Sequence, residues 1–192
     1  MEANLSYKEN IGNVEIGKQE ISLRSLNLSD IDDFMVWMTD DRVADFCTWE
    51  TCKSKEDALE HIKEKIEPHP WYRVICIENT PIGAIMFSPK EGEDRCRGEI
   101  GFHIASKHWG KGIATLAVKM SLEIIFKTWP LIERVEGYVD VENKGSQRVL
   151  EKAGFQRDGI FRKLLVMKDF WFIGVVSSST GNPLKFHKLI TG

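Results

Sequence analysis

Between Glu99 and Thr115 the chain reads Glu-Ile-Gly-Phe-His-Ile-Ala-Ser-Lys-His-Trp-Gly-Lys-Gly-Ile-Ala-Thr. A carboxylate, an imidazole and two closely spaced glycines fall in this one stretch. Glu99–Ile104 is a β-type run, and its period of two puts Glu99, Gly101 and His103 on one face. Trp109–Ala114 forms a glycine-containing loop. Ile113, Leu116, Ala117, Met120 and Ile124 follow at helical spacing, so the sequence predicts a helix from about Lys111 to Lys127. A strand feeding a glycine loop that opens a helix holds a pyrophosphate with backbone N–H groups. A strand carboxylate beside that site is suited to accept the proton of an attacking amine.

Two familiar phosphate loops do not fit these residues. The nucleotide-triphosphate loop needs Ser or Thr after Gly-Lys, but Gly112 follows Gly110-Lys111 and places no hydroxyl for magnesium. The dinucleotide fingerprint needs a third glycine where Thr115 stands, near the start of a βαβ unit. Further along, Asn143-Lys-Gly-Ser146-Gln-Arg-Val-Leu150-Glu-Lys-Ala-Gly154-Phe155 is a complete short helix in sequence terms. Asn143 is the N-cap, Val149, Leu150 and Ala153 make the apolar stripe, and Gly154 takes the left-handed C′ position.

Together the two stretches resemble the signatures of the GNAT superfamily of N-acetyltransferases. Gly112 and Ala114 fill the last marked positions of its coenzyme loop, Gln/Arg-x-x-Gly-x-Gly/Ala. Trp109 stands where Gln or Arg is usual, as in the branch similar to ribosomal-protein N-terminal acetyltransferases. Asn143, Ser146 and Glu151-Lys-Ala-Gly-Phe155 match the second signature, Asn-x-x-Ser/Ala…Glu-Lys-x-Gly-Phe. The resemblance runs from about Glu20 to Ser178. It implies acetyl-CoA as co-substrate, no metal, and transfer to a primary amine, first a protein or peptide N-terminus, by direct attack in a ternary complex.

The same resemblance implies the site. Backbone groups of Phe102, His103 and Ile104 pair with pantetheine, and the loop and first turn (Trp109, Gly110, Lys111, Gly112, Ile113, Ala114 and Thr115) hold the pyrophosphate. Asn143 contacts the pantetheine or supports the acetyl site. Glu99 is the leading base, with Asp140 and Glu142 second, and His103 reads as a packing or hydrogen-bonding residue rather than a base. Leu150 occupies the position where many GNAT enzymes carry an acid tyrosine, so Ser146 is the matching proton donor, unless water alone protonates the thiolate. Two other readings stay open: acetylation of a small amine (polyamine, amino acid or antibiotic-like), for which Asp30, Asp32, Asp33, Asp40, Asp41 and Asp45 would make an acidic cleft, and a non-catalytic CoA-binding module. The apolar Phe170-Trp171-Phe172-Ile173 motivates the latter, as core or as a partner surface.

The elements that must position these residues are legible in outline. Residues 1–18 read as a flexible arm, 19–180 as the acetyltransferase domain and 181–192 as an irregular tail. Glu20–Leu26 is the first strand. Ser29 caps a helix bearing Ile31, Phe34, Met35 and Met38, and Ser54-x-x-Asp57 caps another with Ala58, Leu59, Ile62 and Ile66 inward. Trp71–Ile77, Ile82–Ser88 and Arg97–Ile104 follow as strands, then the loop helix, strand Ile132–Val141, the Asn143 helix, and strands Phe155–Lys168 and Phe170–Ser178. The order predicts an α/β fold with a mixed, mostly antiparallel sheet of about seven strands flanked by about four helices, as the GNAT resemblance also implies.

Composition narrows the partners. At 192 residues, 42% hydrophobic and with net charge −3, the chain suits one globular domain and lacks a global field for nucleic acid or anionic membrane. Lys107, Lys111, Lys119 and Lys144 cluster around the two motifs, where they could meet coenzyme phosphates. The four cysteines have no framework spacing and the five histidines are scattered, so neither disulfides nor a metal site is expected. No secretory pattern is visible, which predicts a cytoplasmic location. Oligomeric state leaves no mark in the sequence.

Overall fold

A computed structural model of the chain describes residues 11–16, 19–167 and 170–180. Its strands are β1 (Ile11–Ile16), β2 (Gln19–Arg24), β3 (Tyr72–Ile77), β4 (Thr80–Pro89), β5 (Arg97–Ile104), β6 (Arg134–Asp140), β7 (Gln156–Met167) and β8 (Phe170–Thr180). They form one sheet in the order β1-β2-β3-β4-β5-β6-β8-β7. Every neighbouring pair is antiparallel except β5 and β6, which run parallel. A parallel pair needs a crossover, and the helix after the glycine loop supplies it.

The helices are α1 (Ile31–Met38), α2 (Asp41–Ala44), α3 (Lys55–His61), α4 (Ile113–Thr128) and α5 (Lys144–Ala153). On one face of the sheet, Ile113, Ala117, Val118 and Ile125 of α4 and Leu150 of α5 pack on Leu23, Ile75, Ile85, Ile100 and Val135. On the other, Phe34, Trp37 and Met38 of α1 form a second core with Val43, Ala58, Ile62 and Ile66. The alternation of each strand thus feeds two apolar layers, one per face. Among the described residues no helix is long and apolar enough to cross a membrane.

Several local expectations are corrected. Composition assigns 1–18 to a loose arm, yet 11–16 form β1 and pair with β2, adding an eighth strand; a bulge between Ile11 and Val14 breaks the alternation that would have revealed it. Residues 1–10, 17–18, 168–169 and 181–192, and the side chains of Phe170–Ile173, lie outside the described residues. Ser29 does not cap α1. A 3₁₀ turn, Leu28–Asp30, follows Asn27 instead, and the Asp30 carboxylate accepts the Asn27 N–H at 2.8 Å and two bonds from Arg24 at 2.7 and 2.9 Å. Burial alone would raise the Asp30 pKa, but Arg24 and the Asn27 N–H outweigh it and hold it below its ordinary value. Ser54 and Asp57 do form the capping box, with reciprocal bonds of 3.1 Å. Leu59 stays 43% exposed rather than inward. α3 passes into a wider π turn at Ile62–Ile66, which rotates the buried face away from it. The short α2, capped by Asp40, had no apolar period long enough to announce it.

Gly83 sets how closely β4 approaches β5. A Cβ there would lie 2.3 Å from the His103 carbonyl oxygen and 2.7 Å from the Ile104 Cα, both backbone. Gly83→Ala is expected to lower unfolding stability by about 2 kcal/mol or more, measured by urea denaturation; a cost under about 0.5 kcal/mol would show that the strands are not locked at this spacing.

Candidate active site

The β5–β6 ladder is short. Its pairs are Arg97↔Arg134, Gly98↔Val135 and Glu99↔Glu136, after which β5 continues to Ile104 and β6 to Asp140 unpaired with one another. The strands part into a cleft whose edges carry backbone donors and acceptors in need of partners. The bonding of β5 to β4 decides which groups face it. Ala105 donates to Ile82 at 2.8 Å and Lys90 to Arg97 at 2.9 Å. By the alternation of antiparallel bonds, Glu99, Gly101 and His103 therefore spend their backbone groups on β4, while those of Phe102 and Ile104 face the cleft. His103 thus drops out of the expected backbone set. The Ile104 carbonyl is also occupied, by the Trp109 indole N–H at 2.7 Å.

That last bond explains Trp109, which departs from the usual Gln or Arg. It ties the glycine loop to the end of β5. Gly110 and Gly112 both adopt left-handed backbone, with φ of +75° and +79°, and no atom lies within 4 Å of where a Cβ would stand at either. Their requirement is conformational, and the space before the loop is open. Gly112 is the N-cap of α4, so the helix begins at Ile113 rather than at Lys111 as the periodicity suggests. No side chain caps it and its first turn has no acidic residue. The N–H groups of Ile113, Ala114 and Thr115 are left without intrahelical partners at the positive end of the dipole. The cleft edge of β5 leads along the chain into the loop and the helix terminus, although the Ala105, His108 and Trp109 N–H groups between them are spent on Ile82, Ala105 and Ser106.

The closed end of the cleft is held by a network that sequence reasoning missed. Glu136, 3% exposed, accepts from Arg97 of β5 at 3.3 Å, and from Arg134 at 2.6 Å and the Tyr138 hydroxyl at 2.8 Å on its own strand. Arg134 also bonds Asp158 at 2.8 Å. Burial pushes the Glu136 pKa up, but its hydrogen bonds with Arg134 and Tyr138 prevail and keep it ionised below its ordinary value. Burial and the Glu136 carboxylate push the Tyr138 phenol up to about 12. The alternation Arg134-x-Glu136-x-Tyr138-x-Asp140 was the available signal: a strand with one polar face turned to the same side as Glu99.

The remaining site residues divide. Glu99 is accessible and ion-paired with Lys90 at 3.2 Å; no hydrogen bond joins it to Ser146. Asn143 Oδ1 accepts the Ser146 N–H at 2.9 Å, capping α5 as read from sequence. Asp140 Oδ1 is engaged by the Glu142 N–H at 2.7 Å, and Lys144 donates to the Val141 carbonyl. Of the six aspartates weighed for a cationic acceptor, Asp30 serves Arg24, Asp32 pairs with Lys55, and Asp40 bonds Arg42 and Ser106. Arg42 and Ser106 hold the Asp40 carboxyl down at about 2. His103 is buried beneath α1, with its ring 4.7 Å from Trp49 and 6.1 Å from Trp37. Burial, helped by the charge of His61, drives its pKa down to about 3. It is a neutral packing group, not a base. Among the described residues no three His, Cys, Asp or Glu are grouped as metal ligands.

Residues 20–156 match the acetyltransferase (GNAT) domain family, and the chain belongs to that family. Among curated relatives, the probable N-acetyltransferase YjcK of Bacillus subtilis (strain 168) is 43% identical over 72 residues, 38% of this chain and 39% of YjcK, so the match spans about two fifths of that relative. Two solved structures share the fold. RimJ of Mycobacterium smegmatis, in complex with CoA-disulfide, is 21% identical with a TM-score of 0.73 over 97% of this chain and 91% of its own. The ribosomal-protein-S5-alanine acetyltransferase of Vibrio fischeri is 22% identical, with a TM-score of 0.67 over 90% and 98%.

The depressed His103 pKa has a signed consequence for stability. Above the ordinary value of 6.5 both folded and unfolded imidazoles are neutral. As pH falls toward 3 the unfolded chain binds a proton that the native ring refuses, so stability declines. In His103→Phe the unfolding free energy should fall less steeply between pH 6.5 and 4 than in the parent; identical slopes would show that the ring is solvated and titrates normally.

Proposed function

We propose that this protein transfers the acetyl group of acetyl-CoA to a primary amine, the α-amine of a peptide or protein N-terminus, by direct attack in a ternary complex. The observation that supports this most is the continuity of the parted β5–β6 edges with the left-handed Gly110/Gly112 loop and the uncapped start of α4. The catalytic domain in this reading spans residues 19–180, with β1 added at its edge.

Pantetheine lies along β5 as a short extra strand, pairing with Phe102 N–H and C=O and the Ile104 N–H. The diphosphate rests on the N–H groups of Gly110 through Thr115, with Lys111 beside it and Trp109 fixing the loop. Asn143 gives its oxygen to the α5 cap and its carboxamide N–H groups to the coenzyme. The thioester then stands near the closed end of the cleft, where a β5 N–H supplies the oxyanion donor.

A neutral amine must form before it can attack. Glu99, on the accessible face beside that end, takes the ammonium proton directly or through water. Attack makes the C–N bond, collapse of the tetrahedral intermediate breaks the C–S bond, and the CoA thiolate leaves. Ser146 is its proton donor. Because Asn143 caps the Ser146 backbone rather than its hydroxyl, removing the hydroxyl spares the helix. The N-terminal acceptor fits the structural neighbour named for ribosomal-protein-S5-alanine acetylation.

Thiol release from acetyl-CoA with a panel of N-terminal peptides and small amines tests the reading. Peptide-dependent release is expected; release with spermidine alone would overturn the acceptor class, and coenzyme binding without release across the panel would indicate a binding module. Glu99→Gln should leave coenzyme affinity intact and lower kcat by about 10²-fold at neutral pH, whereas an unchanged rate would remove Glu99 as base. Gly112→Glu should abolish acetyl-CoA binding by calorimetry while costing about 1–2 kcal/mol of stability for its left-handed backbone; unaltered affinity would reject the diphosphate placement.

A further inference from the structure

We infer that Tyr138 contacts the acceptor, its phenol oxygen accepting the one N–H that the acceptor nitrogen keeps throughout the reaction. This rests on the acetyl-transfer reading above and adds a residue to it. Tyr138 lies two residues beyond Glu136, where β5 and β6 have parted. By the alternation of β6 it shares a face with Arg134 and Glu136, the face on which β5 presents Glu99 and Gly101. It is half-buried, so the ring is reachable.

The proton and the lone pairs of this hydroxyl have separate duties. Tyr138 Oη donates to Glu136 Oε2 at 2.8 Å, while Arg97 and Arg134 hold the other carboxylate oxygen at 3.3 and 2.6 Å. Burial, the bond to Glu136 and the charges of Glu136 and Glu99 push the phenol up to about 12. It therefore keeps its proton at neutral pH. Among the described residues nothing donates to Oη, so toward a ligand this oxygen acts as an acceptor. The niche beside it is open. Counted from the last ladder pair, Gly101 stands opposite Tyr138, and a Cβ there would meet only Met86, at 3.3 and 3.6 Å. Glu99 spends Oε2 on Lys90 at 3.2 Å, with no bond to Oε1 among the described residues.

A count of nitrogen-bound hydrogens shows what such an oxygen selects. A primary ammonium carries three. One passes to Glu99 and on to solvent, which frees the lone pair. The lone pair forms the C–N bond, the C–S bond breaks, and the second proton leaves nitrogen, balancing the one the CoA thiolate takes up. The third remains as the amide N–H, and Tyr138 can hold it from arrival to product, itself gaining and losing no proton. A secondary ammonium carries two and finishes with none, so its extra carbon faces Oη and leaves that oxygen unpaired. An alcohol also finishes with none. Tyr138 thus discriminates by the hydrogen left over, a feature independent of the acceptor's charge or length.

Rates of thiol release from acetyl-CoA, with a peptide beginning in alanine and its counterpart beginning in N-methylalanine, test this. The parent enzyme should favour the primary amine in kcat/KM by about tenfold or more. Tyr138→Phe removes only the hydroxyl; acetyl-CoA affinity by calorimetry should be unchanged, and the preference should shrink about tenfold. A merely structural role would slow both peptides alike and leave their ratio untouched. Equal rates with the two peptides in the parent overturn the inference without any variant, even if Tyr138→Phe fails to fold. An unshrunken preference or a loss of coenzyme affinity in Tyr138→Phe would overturn it while leaving acetyl transfer standing. No release with either peptide or with any other amine would remove the transfer reading itself, and this inference with it.

Discussion

Strands β5 and β6 are joined by side chains as much as by backbone at their last paired residues. Glu136 takes Arg97 from one strand and Arg134 and Tyr138 from the other. A buried carboxylate with three donors is costly to disturb, because losing any one leaves charge uncompensated in a low dielectric. Past this staple no further ladder pair joins the two strands among the described residues. α5 is seated on β6 on the opposite face, where a Cβ on Gly137 would meet Leu150 at 2.7 Å. α4, the crossover, starts beside the open end. The position of the cleft is therefore set by where the ladder stops and by which helix packs each strand.

That arrangement divides the chemistry between the two faces of the sheet. The helix-terminus side offers backbone N–H groups with an open approach, suited to a phosphate-bearing carrier. The other side carries Glu99, Glu136 and Tyr138, with Glu99 accessible and Glu136 locked. His103 shares their strand face yet is sealed under Trp37 and Trp49, so period-two reasoning placed it correctly without revealing its environment. Of the aspartates that suggested a cationic acceptor, Asp30 and Asp40 each hold a turn and an arginine.

What sequence conveyed best were features with local causes. β5 was bounded at Arg97–Ile104, and Asn143 and Gly154 behaved as the caps their residue types favour. The two-glycine loop declared its backbone demand directly. Features with distant causes were hidden. β1 needed β2 as a template, the Glu136 network needed β5 brought beside β6, and Trp109 made sense only once its indole was seen on the Ile104 carbonyl. The α3 boundary shifted because a π turn changes helical phase without changing composition. The backbone direction at His103 was fixed by its pairing to β4 and had no signature in residue type.

The most direct test of the account is amide hydrogen exchange with and without acetyl-CoA. Slowed exchange is predicted at Phe102, Ile104 and the first turn of α4, Ile113–Thr115, with β2, β3 and α3 unchanged. Protection absent from the cleft edge and the helix terminus, or found only elsewhere in the sheet, would contradict a carrier lodged between the parted strands.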